Sequence, residues 1–244
     1  MKLPFTFVVA GIVLVSAGCT SSPGRPKSDS EPLAPDQVVA FPILYKQNCA
    51  GCHGVSGKGG AAIALNNPVF LAIADDTAIR RTIENGVPST AMPAFAQGKG
   101  GMLTEKQVEA IAQGIRLWAK SDLSGDTTLP AYSSQSPGDA QKGAEVFRIY
   151  CSSCHGNDGR GGSKASSVVD GSYLTLVSGQ YLRTIVITGR PELGAPDWRG
   201  DVEGRAMSNQ EISDVVAWLS SQRPRLPSQL SAVPLLAQPN GVAQ

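Results

Sequence analysis

The sequence predicts an all-α protein made of two tandem copies of one small helical domain, joined by a flexible linker. Three observations predict it. Residues 44–60, LYKQNCAGCHGVSGKGG, lie over residues 146–162, VFRIYCSSCHGNDGRGG, without a gap, and a duplicated domain is the simplest account. Each copy closes on a capping-box pattern, Thr104 with Gln107 and Ser208 with Glu211. Behind these, Val108, Ile111 and Ile115, and Ile212, Val215, Val216 and Leu219, recur at helical spacing. Between the copies, SDLSGDTTLPAYSSQSPGD is too rich in Ser, Gly, Pro and Asp to bury a core.

In chain order, residues 1–19, MKLPFTFVVAGIVLVSAGC, carry one basic residue, an apolar run from Leu3 to Val15 and small residues leading to Cys19, the pattern of a secretory signal. The run is short for a membrane span, which takes roughly 20 apolar residues. Its end, SAGC, matches a bacterial lipobox apart from Ser16 in place of Leu, so Cys19 is expected to be lipidated. An uncleaved anchor and an ordinary signal with an incidental Cys19 are the alternatives. Residues 20–36 read as a flexible tether, 37–120 as the first domain, 121–137 as the linker, 138–223 as the second domain and 224–244 as a Pro-rich tail. Nothing after residue 19 is apolar enough to cross a bilayer, which excludes a quinone site within the membrane.

Helices are expected over 36–48 and 139–150, with Pro42 bending or delaying the first. Middle helices fit 77–85 and 181–188, and the capping boxes open the last ones. Arg81-Thr82-Ile83 matches Arg183-Thr184-Ile185 at the register of the motifs, and Pro93 matches Pro196 after one inserted residue. Trp118 and Trp218 are placed on the last helices, in the core. The formal charge is +1 on 21 basic and 20 acidic residues, so no basic face points to nucleic acid.

CAGCHG from Cys49 and CSSCHG from Cys151 hold the chemistry. Two cysteines three positions apart can add to the two vinyl groups of one porphyrin, and the next histidine is placed to bind the iron. A zinc site, a redox pair or a disulfide each leaves the histidines unexplained. The two motifs consume four of the five cysteines and both histidines. Two covalent haem c groups are therefore expected, on Cys49 and Cys52 with His53, and on Cys151 and Cys154 with His155.

A leading helix, CxxCH, a glycine-rich loop, a short helix, a Met-Pro loop and an amphipathic last helix together resemble class I cytochrome c, in tandem, over roughly 37–120 and 138–223. The resemblance implies crossed terminal helices around a haem with one edge near solvent. In TAMPAFA it implies Met92 as the sixth iron ligand of the first haem, with Met102 the competitor. In the second copy AMPAF falls on GAPDW, so Ala195 replaces Met92 and the remaining candidate is Met207. The repeat partner of Met207 is Leu103, which also suits it to a hydrophobic staple before Ser208. The resemblance further implies an exported, lipid-tethered carrier of single electrons on the periplasmic side of a bacterial membrane, serving a quinol-oxidising complex or a terminal oxidase. Alternatives are a peroxidase-like haem enzyme with an open second haem, or a haem-bearing subunit of a larger respiratory complex. No spare histidine exists for a distal acid-base role, and Cys19 lies far from either motif, which disfavours a cysteine-ligated iron.

Overall fold

A computed structural model describes residues 32–119, 123, 128–200, 202 and 205–224. Cys19, the expected signal, most of the tether and the tail lie outside the described residues. From Val38 onward, both copies belong to one compact unit. The described elements are helical, with isolated bridges and no strand among the described residues.

The first copy contains α1 (Phe41–Asn48), α2 (Ala50–His53), α3 (Pro68–Ile73), α4 (Asp76–Asn85) and α5 (Glu105–Arg116). The second contains α6 (Ala140–Tyr150), α7 (Ser152–His155), α8 (Gly171–Leu176), α9 (Gly179–Thr188) and α10 (Asn209–Ser221). The helix expected over 36–48 begins only at Phe41, with Pro42 in its first turn, where a missing N–H costs nothing. Residues 36 and 37 belong instead to a separate 3-10 turn, Pro35–Gln37. Both capping boxes form, with Thr104 and Ser208 accepting from the amides of Gln107 and Glu211. The short helices α3 and α8 were not expected. Each starts at a side-chain cap, Asn67 on Val69 and Phe70, and Asp170 on Tyr173.

These caps correct the alignment of the copies. Asn67 pairs with Asp170, the cap Asp75 with the cap Ser178, and Gly86 with Gly189, all in a register one residue longer than that of the motifs. The inserted residue therefore lies in the glycine-rich loop before α8, not between the middle helix and Pro196. Arg183 stands opposite Arg80 rather than Arg81, while Ala195 still stands opposite Met92.

The core of the first copy joins Leu44 and Tyr45 of α1, Phe70 and Leu71 of α3, Ile79 and Ile83 of α4, and Val108, Ile111 and Ile115 of α5. In the second copy Val146, Phe147, Ile187, Trp198, Met207, Ile212 and Val215 cluster together, with Leu174, Leu182 and Leu219 beside them. Each such side chain contributes about 1.5–3 kcal/mol when fully buried, so these faces hold the helices in place.

The last helices end differently. Trp118 is not on α5. Its amide bonds Ile115 O at 3.1 Å, a 3-10 tightening just past the helix end at Arg116. Its ring meets Phe41 and Tyr45 at 5.2 and 4.9 Å and lies against Gly57, where an added Cβ would sit 2.6 Å from the ring. Trp218 lies on α10 and meets Phe147 at 4.3 Å, yet its ring covers Gly159, the counterpart of Gly57, where a Cβ would sit 3.2 Å away. Both tryptophans pack against the core, as expected.

Arginines repeat the pattern. Arg116 donates to Leu71 O, to Ala74 O at 2.7 Å and to Asp76 Oδ1 at 2.7 Å. Arg223, two residues beyond the end of α10, donates to Leu174 O at 3.1 Å and Val177 O at 3.0 Å, the counterparts of Leu71 and Ala74.

The connection between copies is irregular where described, as its composition predicts. Its contacts were not legible. Ala131 and Tyr132 offer their carbonyls to Arg183 at 2.8–3.1 Å, and Tyr132 O also accepts from Gln180 Nε2 at 2.9 Å.

Candidate functional site

Cys49 ends α1 and begins the single turn of α2, with its amide bonded to Tyr45 O at 2.9 Å and its carbonyl accepting from His53 N at 3.0 Å. Residues three and four apart on such a turn share a face, so Cys49, Cys52 and His53 project together. Cys151, Cys154 and His155 repeat the arrangement on α7, where His155 N bonds Cys151 O at 3.0 Å. The next residue must reverse the chain: Gly54 and Gly156 have φ of 81° and 75°, a region an L side chain rarely enters. A Cβ at Gly54 would also fall 1.9 Å from Lys58 O.

All four cysteines are free thiols, neither pair being closed as a disulfide. Cys49 and Cys151 pack against the cores of their copies, and Cys52 is exposed. Burial, and then the neighbouring Cys52, pushes the Cys49 thiol up to about 11. Burial and Cys154 push Cys151 up to about 12, so both are protonated thiols rather than reactive thiolates.

The histidines are oriented identically. His53 Nδ1 donates to Ile63 O at 2.9 Å and His155 Nδ1 to Ser166 O at 2.8 Å. A carbonyl can only accept, so each bond fixes the proton on Nδ1 and leaves the Nε2 lone pair available to a metal. Burial lowers the pKa of His53, against the Ile63 bond, which keeps the imidazole neutral. Ile63 and Ser166 were not found from sequence, because a backbone carbonyl has no side-chain signature.

These residues fit haem c better than a bare ion. Among the described residues no three or more His, Cys, Asp or Glu side chains gather where they could hold a metal, which excludes a zinc site shared between the motifs. Two free thiols and one imidazole with its Nε2 turned free, on one face and twice over, are instead the donor set for thioether attachment and one bond to iron.

The sixth-ligand candidates are placed as follows. Met92 is half-buried in a loop closed by Val87 N to Met92 O at 2.9 Å and by Met92 N to Thr90 Oγ1 at 3.2 Å. Met102 is 80% exposed. Ala195 occupies the place of Met92 in the second copy and has no donor atom. Met207 is buried in the cluster against which Cys151 also packs, and its amide bonds Trp198 O at 2.9 Å. Leu103 makes the matching bond to Phe95 O at 2.8 Å, so Met207 and Leu103 occupy one position of the repeat.

The family model described as cytochrome c oxidase, cbb3-type, subunit III matches residues 37–113 and 138–219. The cbb3-type cytochrome c oxidase subunit FixP of Azorhizobium caulinodans is 31% identical over 145 residues, 54% of this chain and 43% of that protein. The cytochrome bc1 complex cytochrome c subunit of Mycobacterium tuberculosis is 23% identical over 185 residues, covering 72% and 60%. The chain thus spans less than two thirds of the length of these relatives. Among solved structures, the Kuenenia stuttgartiensis reducing HAO-like protein complex Kustc0457/Kustc0458 aligns with a TM-score of 0.43 at 18% identity, covering 75% of this chain and 96% of that one. The two stretches matched by the family model fall on the two copies and each contains one CxxCH turn, so the chain is a di-haem c-type cytochrome and belongs to the family of cbb3-type cytochrome c oxidase subunit III.

Proposed function

We propose that this chain carries single electrons between a donor and an acceptor of a respiratory chain, on the periplasmic side of a bacterial membrane. Cys49 and Cys52, and Cys151 and Cys154, hold one haem c each through thioethers. His53 and His155 would each bind an iron through Nε2, and Met92 and Met207 would each offer it a thioether sulfur. The bound group supplies a one-electron iron couple, which a Met and His ligand pair poises toward the reduced state. The protein's part is to fix and bury. The observation that carries the reading is the repeated histidine Nδ1 to carbonyl bond at 2.9 and 2.8 Å, which aims both imidazoles before any metal binds.

The chain is read as a carrier rather than an enzyme. Both histidines are engaged, and no third exists to move protons at a substrate. Relatives named as subunits of a cbb3-type oxidase and of a bc1 complex support a terminal oxidase and a quinol-oxidising complex as partners. Lipidation at Cys19 ties the chain to the membrane, behind a tether over 20–36. A second reading, an enzyme with an open second haem, draws on Ala195 at the ligand position. The experiment is haem content: two covalent haems per chain in cells that mature c-type cytochromes, and one after Cys49→Ala with Cys52→Ala. A content of zero refutes the reading, and sustained turnover of peroxide moves it to the enzyme class.

A further inference from the structure

The loop after the middle helix differs between the copies at two facing positions. In the first copy Val87 and Met92 close it. In the second, Arg190 and Ala195 take those places and bond each other in both directions, at 3.0 and 3.1 Å. The loop has lost a sulfur and gained a guanidinium.

That guanidinium leaves its own domain. Arg190 Nη2 donates to Gly60 O at 2.8 Å, in the first domain's loop between the CxxCH turn and Ile63, the residue whose carbonyl orients His53. Glu192 stands 2.5 Å from Arg190 Nε, and the two side chains are only 18% and 12% exposed. An arginine this enclosed is held by both its carboxylate and the foreign carbonyl. Around it the domains meet over an apolar, buried centre. Val69 of α3 is 5% exposed and packs in the second domain's cluster with Ile187 of α9, which is 0% exposed. Asn67 Nδ2 donates to Thr188 O at 3.2 Å, both residues being buried. Ala91, next to Met92, donates its amide to Leu176 O at 3.3 Å. An apolar centre with a buried hydrogen bond and an ion pair at the rim is the anatomy of a stable interface. Domains swinging freely on a linker would leave these groups in water. The linker joins in: Tyr132 packs against the core of the first domain while Gln180 and Arg183 of the second hold its carbonyl.

We infer that loop 190–195 has exchanged iron ligation for docking, with Arg190 as its positioning residue. The two domains then form one fixed body, and an electron given up by one haem is taken up by the other inside it. No bond forms or breaks, and no outside oxidant or reductant is needed. The docking stands on the contacts alone; the electron step rests on the proposed function.

The test uses the full chain with both haems. In the unsubstituted protein, photoreduction of one haem should equilibrate with the other at a rate independent of protein concentration and of added glycerol, and small-angle scattering should show one compact particle. Arg190→Gln with Asn67→Ala should enlarge the particle, slow equilibration by about tenfold and make it viscosity-dependent. Arg190→Lys, which keeps the charge, should recover part of the rate, and it carries the test should the double variant lose a haem. An unsubstituted protein whose equilibration slows with glycerol, or a double variant unchanged in particle size, overturns the docking. A chain with fewer than two haems defeats the proposed function instead, and scattering still decides the interface.

Discussion

The last helices of the two domains end in different sequences and perform the same two tasks. In the first domain the arginine comes before the tryptophan, Arg116 and then Trp118; in the second the order is reversed, Trp218 and then Arg223. Both tryptophans nevertheless cover the equivalent loop glycine, Gly57 or Gly159, just beyond the CxxCH turn. Both arginines hold the equivalent pair of carbonyls, at Leu71 and Ala74 or at Leu174 and Val177. What the two copies share is the target of each side chain rather than its place along the chain.

The crossing of first and last helices shows how the change was accommodated. Trp218 stands where the first domain has Gly114, and Gly143 stands where it has Phe41. Large meets small at both crossings, with the roles exchanged. A Cβ on Gly114 would fall 2.1 Å from the Phe41 ring, and a Cβ on Gly143 would fall 2.0 Å from Asp214 O. The obstacle is a side chain in one domain and backbone in the other. The second pair of helices is therefore in closer contact.

Breaking the closer crossing has the largest effect. Gly143→Ala forces two backbones apart and should destabilise the second domain by about 3 kcal/mol, whereas Gly114→Ala, which swinging the half-buried Phe41 side chain aside about χ1 relieves, should cost the first about 1 kcal/mol. Urea unfolding followed at each haem separates the two, and equal losses would show that the crossings are alike. A smaller effect sharpens the comparison of arginines. Arg116→Ala removes bonds to two carbonyls and a carboxylate and should cost about 2 kcal/mol, against about 1 kcal/mol for Arg223→Ala, which loses two longer bonds and no carboxylate. The same unfolding experiment reads both.

The features legible in the sequence were those made of contiguous residues. The CxxCH motifs and both capping boxes each fit within a few positions, and both boxes formed as expected. The short helices α3 and α8 rest on single caps, Asn67 and Asp170, too small a signal beside the neighbouring loop. The inserted residue was misplaced because it lies between Gly162 and Asp170, where SKASSVV shares no residue pattern with AAIALN of the first copy, and the helix caps locate it. Ile63 and Ser166 act through carbonyls and so have no signature. Arg190 had one: a charged residue where the other copy has Val87. Its partner Gly60 is distant in the chain, and nothing local names it.

The central claim is that a methionine closes each iron, from Met92 in the expected loop and from Met207 in the position of Leu103. Carbon monoxide binding to the ferrous protein tests it most directly, because the gas takes only a vacant or weakly held site. The account predicts little binding to the unsubstituted protein, one haem opened by Met92→Ala and the other by Met207→Ala. One equivalent bound tightly without any substitution, and no change on Met207→Ala, would contradict it and leave Met207 a hydrophobic staple beside an open haem.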